Sequence, residues 1–435
     1  MKKAIMLLVV LAMVSTVVFA GGGGQQAPAG AQAVRWSFWG GENRIRNTQR
    51  AIDLFTEETG IIVASEPMPG ATEHFQKFLT QLAGGNAVDL VQLGGFFSNL
   101  GIDDNGSTAP GIENYLLPLT DFVRRGIIDT SELDAAAIQA GTRGGVLYAL
   151  PMGVNIPAMV YNKSLLQRVG APLPAVGMSW AEFDAWMRQV QSRLPANTWV
   201  LTDYSATIGG SFFFGFWAGD NQTPLYDGTR THLTAAHVQR YFELWDGWRA
   251  AGLVPPAARS AEYSETNEAA AALVAGMTVI TPIWSNQLIN YQNAMTDELG
   301  LVMFPNAVVS NGLWSQASQM IGISRGSRNA EAAARFINFR VTDPRAWSFL
   351  GADPGVPSTA ATRAAVASDP VSQTVAEYLN IAGRHSSPGT PNMPNDTEFN
   401  NNLHLIAQEV AFGRITPAAG AQRVMDLINR LIAGR

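Results

Sequence analysis

Residues Gly144–Lys163 read GGVLYALPMGVNIPAMVYNK. The stretch predicts a short strand at Val146–Leu150, an extended crossing punctuated by proline, and a second strand at Ala158–Tyr161. Pro151 and Pro157 each lack an amide donor and drive the residue before them into extended geometry. Such a segment suits a chain leaving one lobe and entering another, because boundaries fall where few contacts cross. Two strands of one sheet joined by a loop satisfy the same local pattern equally well.

The chain before this segment alternates strands with helices. Val34–Trp39 reads as a strand ended by Gly40-Gly41, and Asn43–Thr59 as an amphipathic helix with Gly60 past its end. Ile61–Ser65 is a second strand. Thr72–Ala83 places Phe75, Phe78, Leu79 and Leu82 at i, i+3, i+4, i+7 spacing, and Ala87–Leu93 is a third strand. This order argues an α/β fold with a doubly wound, mainly parallel sheet. A short helix at Leu117–Gly126 closes the unit. After the crossing, Ser179–Glu182 fits a capping box for a helix to Leu194. Ser211–Trp217 is strongly aromatic, Thr234–Ala251 is a helix, and Glu268–Val274 reads as helical. Strands follow at Val200–Thr202, Met277–Thr281, Leu301–Phe304 and Met320–Ser324. Asn329 is placed to cap a helix through Phe339, and Pro344 begins the next. Pro388–Pro394 is a polar loop. The last helix has Thr416 as N-cap and Pro417 at its first position.

Length and composition allow two or three domains with large cores: 435 residues, 47% apolar and 15% charged. A net charge of -6 without a long basic run disfavours nucleic acid as a partner. Cysteine is absent, which removes disulfides, thiolate metal sites and a cysteine nucleophile. Lys2 and Lys3 precede an apolar run from Ala4 to Ala20, the pattern of a signal peptide cleaved near Ala20. Residues 21–33 read as a flexible Gly/Gln/Ala/Pro tether.

Several segments in order resemble the extracellular sugar-binding receptors of ATP-driven (ABC) importers, the group that includes the maltose-binding protein. They are WSFWGGEN with the helix ending DLFTEETG; HFQKFLTQLAGGNAVDLVQL; LLPLTDFVRRGIID leading into the Gly144–Lys163 stretch; AALVAGMTVITPIW; and ISRGSRNAEAAARFINFRVTDPRAWSFL. The resemblance covers nearly the whole mature chain. It implies a two-lobe periplasmic-binding-protein fold with three crossings, near Leu150–Asn155, Ile280–Trp284 and Ser324–Asn329. Lobe one is then 34–152 with 282–324, and lobe two 153–281 with 325–435. It also implies a monomeric receptor with no catalysis and no cofactor, delivering a sugar to inner-membrane permease subunits. With no cysteine to carry a lipid, an exported receptor is retained only by an outer barrier, which places it in a periplasm.

A sugar presents an apolar C–H face and a rim of hydroxyls. Indoles stack on the first, and planar amides and carboxylates bond the second. Eleven Trp are present. Those in loops that face the ligand in the resembled family are Trp39, Trp217, Trp284 and Trp314, with Glu42, Gln92, Asn155 and Gln316 as polar partners; Phe96 follows Gln92 in its loop. Each also has a plain packing role open to it, since a Trp in a large protein is more often core than platform. Trp180, Trp186, Trp245 and Trp248 sit within helices at packing spacings. The cleft loops depart from the maltose-binding pattern, so maltose does not carry over.

Other classes have less behind them. A secreted glycosidase needs two paired carboxylates, and nothing pairs Glu42 with Asp220. The five His are scattered, with only His232 and His237 near one another. The same fold binding a polyol phosphate, a polyamine or a metal remains the main alternative, and Arg or Tyr clusters in the cleft loops would mark it.

Overall fold

A computed structural model describes residues 33–94, 111–133, 135–205, 210–220, 223–263, 271–310, 312–388 and 393–434. The expected signal peptide, nearly all of the tether, Phe96 and the first three residues of the expected Glu268–Val274 helix lie outside them; the remaining four residues of that segment are not helical, and 272–274 are turn.

The first unit follows the expected alternation. Strand β1 (Ala33–Trp39), helix α1 (Glu42–Thr59), β2 (Ile62–Met68), α2 (Ala71–Ala83) and β3 (Leu90–Gly94) come in order. Helix α1 buries Thr48, Ala51, Ile52 and Phe55 along one stripe. It stops at Gly60, whose φ of 70° suits a residue without Cβ and lets its N–H reach Thr56 O. Strand β1 pairs in parallel with β2 and with β3. Two later strands complete the sheet, β4 (Ala149–Pro151) and β11 (Gln319–Ile323); the latter lies antiparallel between β3 and β4.

The chain then leaves through β5 (Val154–Asn155) and enters a second sheet at β6 (Pro157–Asn162). The expected strand Val146–Leu150 is thus split, with Val146–Leu147 pairing separately with Thr142–Arg143. Helix α3 (Trp180–Gln191) has the expected Ser179/Glu182 capping box. It is followed by β7 (Trp199–Leu201), α4 (Gly210–Asp220), α5 (Ala235–Ala250), β8 (Thr278–Trp284) and β9 (Leu299–Val302). The second sheet runs β9-β6-β8-β7. Only β8 with β7 is a parallel pair, so the second sheet is mixed rather than mainly parallel. Strand β10 (Leu313–Ala317) pairs with β5 and precedes β11. Helices α6 (Ala330–Thr342), α7 (Pro344–Leu350) and α8 (Pro370–Ala382), strand β12 (Ser386–Pro388) and the last long helix α9 (Pro417–Ala433) complete the elements used below.

Sheet and core membership divide the chain differently from the expected lobes. Residues 282–302, expected in lobe one, continue the second sheet through β8 and β9. Pro282 does not end β8, because β7 pairs only as far as Ile280. Beyond it the Pro282 carbonyl takes the Tyr204 hydroxyl at 2.6 Å, and no strand asks for its missing N–H. Conversely, α6, expected in lobe two, packs Phe336, Ile337 and Phe339 with Trp36, Phe38 and Phe55 under the first sheet. Crossings two and three therefore lie near residues 303–318 and 351–356, not at Ile280–Trp284 and Ser324–Asn329. Asn329 holds the N-cap position of α6 but forms no side-chain cap.

Candidate functional site

The three crossings are bundled. Ser318 N–H donates to Gly153 O at 3.0 Å, and Val154 and Val356 exchange main-chain bonds of 2.8 and 3.0 Å. The Ser318 hydroxyl donates to Pro354 O. Space here is minimal: a Cβ on Gly153 would stand 2.8 Å from the Gly355 backbone. Residues 152–156 then span from the carboxyl edge of the first sheet to that of the second. At the first edge Met152 N–H donates to Gln319 O at 2.7 Å. At the second, Ser285 N–H donates to Ile156 O at 3.1 Å, beside the Trp284–Pro157 register pair. In open α/β sheets ligands lie beyond carboxyl edges.

Four of the eight expected site residues meet at this connection. Asn155 of β5 faces Gln316 of β10 in register, so both side chains share a face. Trp314, two residues before Gln316, is on that face too, and its Nε1–H donates to Gln316 Oε1 at 3.2 Å. Trp284, at the end of β8, meets Trp314 nearly at right angles, centroids 5.8 Å apart and planes at 83°. Both indoles are half-buried. Asn155 is 5% exposed and its Oδ1 accepts no hydrogen bond from the described residues. A buried amide oxygen in that condition is costly unless another donor reaches it.

The other four are dispersed. Trp39 ends β1 at the first carboxyl edge, half-buried against His74 and Phe75 at 5.1 and 5.6 Å. Glu42 stands exposed in the first turn of α1. Gln92 is 1% exposed, and its Nε2 has no partner among the described residues. Strand alternation sends its side chain to the sheet face opposite Trp39, because β1 and β3 register Ser37 with Val91. Trp217 requires correction. The aromatic run Ser211–Trp217 is the body of α4, apolar on every side, and Trp217 is 5% exposed, stacked on Phe214 at 6.4 Å and edge-on to Tyr241 at 5.4 Å. It is core.

Three features of the site are absent from the expectations. Asp353, in the third crossing, takes Arg44 of α1 on both carboxylate oxygens at 2.7 and 2.9 Å. Its main-chain oxygen accepts from Asn286 at 2.7 Å, which ties the first unit to the second sheet. The Gly/Pro cluster at 351–357 was the available signal for this turn. The third is His74. Its Nε2 lies 2.9 Å from Gln92 O, which can only accept, so Nε2 carries the proton and Nδ1 accepts from the Ser37 hydroxyl at 3.0 Å. His232 and His237 have structural roles: one bonds Asp227 at 2.7 Å, the other closes the capping box of α5.

Burial, helped by Lys77, pushes the His74 imidazole down to about 4, against a weaker opposing pull from Gln92 O. Its folded value is below the unfolded value of 6.5, so the unfolded chain binds the extra proton between them. The neutral ring's contribution is present above pH 6.5 and lost as the pH falls toward 4. The loss expected from this residue is about 3 kcal/mol. Urea unfolding at several pH values checks it: His74→Gln should flatten the slope between pH 6.5 and 4.5. A variant with the parent slope would remove His74 as its source.

Residues 50–377, three quarters of the chain, match the model of a bacterial extracellular solute-binding protein. Among solved structures, a periplasmic oligogalacturonide-binding protein from Yersinia enterocolitica superposes with TM-score 0.76 at 20% identity, covering 92% of this chain and 99% of that one. An ABC substrate-binding protein from Listeria monocytogenes, in complex with cycloalternan, gives 0.75 at 16% identity over 93% and 99%. The GacH receptor of Streptomyces glaucescens, solved with acarbose, gives 0.71 at 16% identity over 93% and 99%. These likenesses establish the two-sheet solute-binding fold. No helix among the described residues is long and apolar enough to cross a membrane.

Proposed function

The chain belongs to the bacterial extracellular solute-binding protein family, and from that membership we propose that it is the periplasmic receptor of an ABC importer for a sugar or oligosaccharide. The observation that carries the sugar assignment is the convergence of Trp284, Trp314, Gln316 and Asn155 where the carboxyl edges of the two sheets meet. Two half-buried indoles at right angles offer one face for stacking and one edge for a second contact. Two amides supply donors and acceptors in a plane, and the Asn155 oxygen is unspent. None of the four ionises, which suits neutral hydroxyls over phosphate or ammonium groups. The ligands named for the similar structures, a digalacturonic acid and cycloalternan, support a saccharide, and the second of them a neutral one. Trp39, at the carboxyl edge of the first sheet, and Glu42, exposed in the first turn of α1, form the opposing side of the site.

In this reading the chain catalyses nothing. It is exported as a monomer, its signal peptide cleaved near Ala20, and it closes around the sugar at the bundled crossings. Closure follows because ligand touching both edges favours the closed population. The closed form then docks on the permease pair.

A thermal-shift screen of the mature chain against neutral mono- and oligosaccharides, uronates, polyol phosphates and divalent metals tests the assignment. A neutral sugar at about 100 times its dissociation constant should stabilise the fold by about 2.7 kcal/mol. Silence from every sugar, with a shift from a phosphate ester or a metal, would overturn it.

A further inference from the structure

Arg340 lies in the last turn of α6 at 3% exposure. Its Nε and Nη1 are buried and donate to none of the described residues. Its guanidinium lies over the Trp347 ring, 5.0 Å from the centroid. Two charges act on it: Arg44 repels and Asp353 attracts. Asp353, however, is already committed, with both oxygens on Arg44 and its main-chain oxygen shared between Arg44 and Asn286. The side chains of Arg44 and Asp353 are themselves only 11% and 10% exposed. Two guanidinium groups thus lie near one carboxylate with little access to solvent, and the carboxylate's hydrogen bonds among the described residues all go to Arg44.

Burial, and after it Arg44, depresses Arg340 to about 9. Guanidinium groups nonetheless stay protonated in proteins, so the depression marks a charge that is buried beside another cation with only partial compensation from Asp353. A buried charge with unpaired donors is strongly unfavourable unless a counterion or acceptor reaches it. We propose that Arg340 binds a small monovalent anion of halide type, held by Nε and Nη1, which completes the Arg44–Asp353–Arg340 cluster beside the third crossing. A halide suits the place better than sulfate or phosphate. At this burial the ion must shed its water, and a large univalent ion sheds it most cheaply. The bound charge would also fix α6 to the loop at 351–356, so the anion belongs to the hinge and not to the sugar site.

The test compares melting temperatures of the full mature chain in sodium chloride and in sodium methanesulfonate at equal ionic strength, about 0.1 M. Chloride should raise the parent's melting temperature by roughly 3 °C. Arg340→Met should remove that difference and remain folded, because a buried unpaired charge is replaced by an apolar chain of similar length. Crystals of the parent grown in bromide provide a readout independent of any variant: an anomalous peak in hydrogen-bonding contact with Arg340 Nε and Nη1. Equal melting temperatures of the parent in the two salts would overturn the proposal. So would an ordered water at Arg340 with no bromide peak.

Discussion

Trp284→Ala should weaken sugar binding by about 30- to 1,000-fold while leaving the fold nearly as stable as the parent. The magnitude is that of losing a central aromatic contact in a desolvated site, about 2–4 kcal/mol. Trp284 is half-buried and meets Trp314 edge to face, a contact worth about 1 kcal/mol, so its truncation should cost the fold much less than removal of a fully buried indole. Trp217→Ala should do the reverse. Trp217 is 5% exposed within α4, against Phe214 and Tyr241, and its removal leaves a cavity costing about 3–5 kcal/mol. Affinity measured by calorimetry well below that variant's melting temperature should stay within about threefold of the parent. A Trp217 variant that loses more affinity than the Trp284 variant would put the ligand on α4 and not at the β5–β10 connection.

The contrast between these two indoles shows what local pattern carries. Helices with a stripe and a cap were legible: α1 with Gly60, α3 with Ser179 and Glu182, and α9 with Thr416 and Pro417 all form where spacing placed them. The aromatic run in α4 was not, because a segment apolar on every side has no periodicity to read. The prolines of Gly144–Lys163 left a crossing and a loop within one sheet equally open; the family resemblance decided between them, and the structure does carry the chain between sheets there. The later crossings were misplaced for a tertiary reason. The resemblance put a crossing where the expected strand Met277–Thr281 stops, yet β8 runs on past Pro282 because β7 has already ended. Trp314, Gln316 and Asn155 could be nominated singly, but their meeting depends on a register between residues far apart in sequence. Arg44 and Asp353, and the orphaned donors of Arg340, have no local signature at all. An ion pair across the fold appears in sequence only as two ordinary charges.

Gly355→Ala should cost about 3 kcal/mol, and the comparison that gives the figure meaning is Gly413→Ala. Both glycines have positive φ, +111° at Gly355 and +68° at Gly413. Backbone strain on adding a Cβ is therefore common to both, about 1–2 kcal/mol. Gly413 has open space around the new carbon, and its variant should show that strain alone. At Gly355 the carbon would stand 2.7 Å from Ser318 Oγ and 3.0 Å from Val154 N, touching crossings one and two together. The clash adds the cost of parting three packed segments, about 1–3 kcal/mol. It also displaces the main-chain pairing of Val154 with Val356, which joins crossing one to crossing three. Closure needs those three segments to bend as a unit, so the variant should bind sugar at least tenfold more weakly than Gly413→Ala. Its radius of gyration by small-angle scattering should shrink less at saturating sugar than the parent's does. If Gly355→Ala unfolds in urea no earlier than Gly413→Ala, the bundle is looser than the distances imply. If it is destabilised but closes normally, the bending lies elsewhere, and Arg44–Asp353–Asn286 becomes the contact to cut next, because it ties α1 to the second sheet through the third crossing.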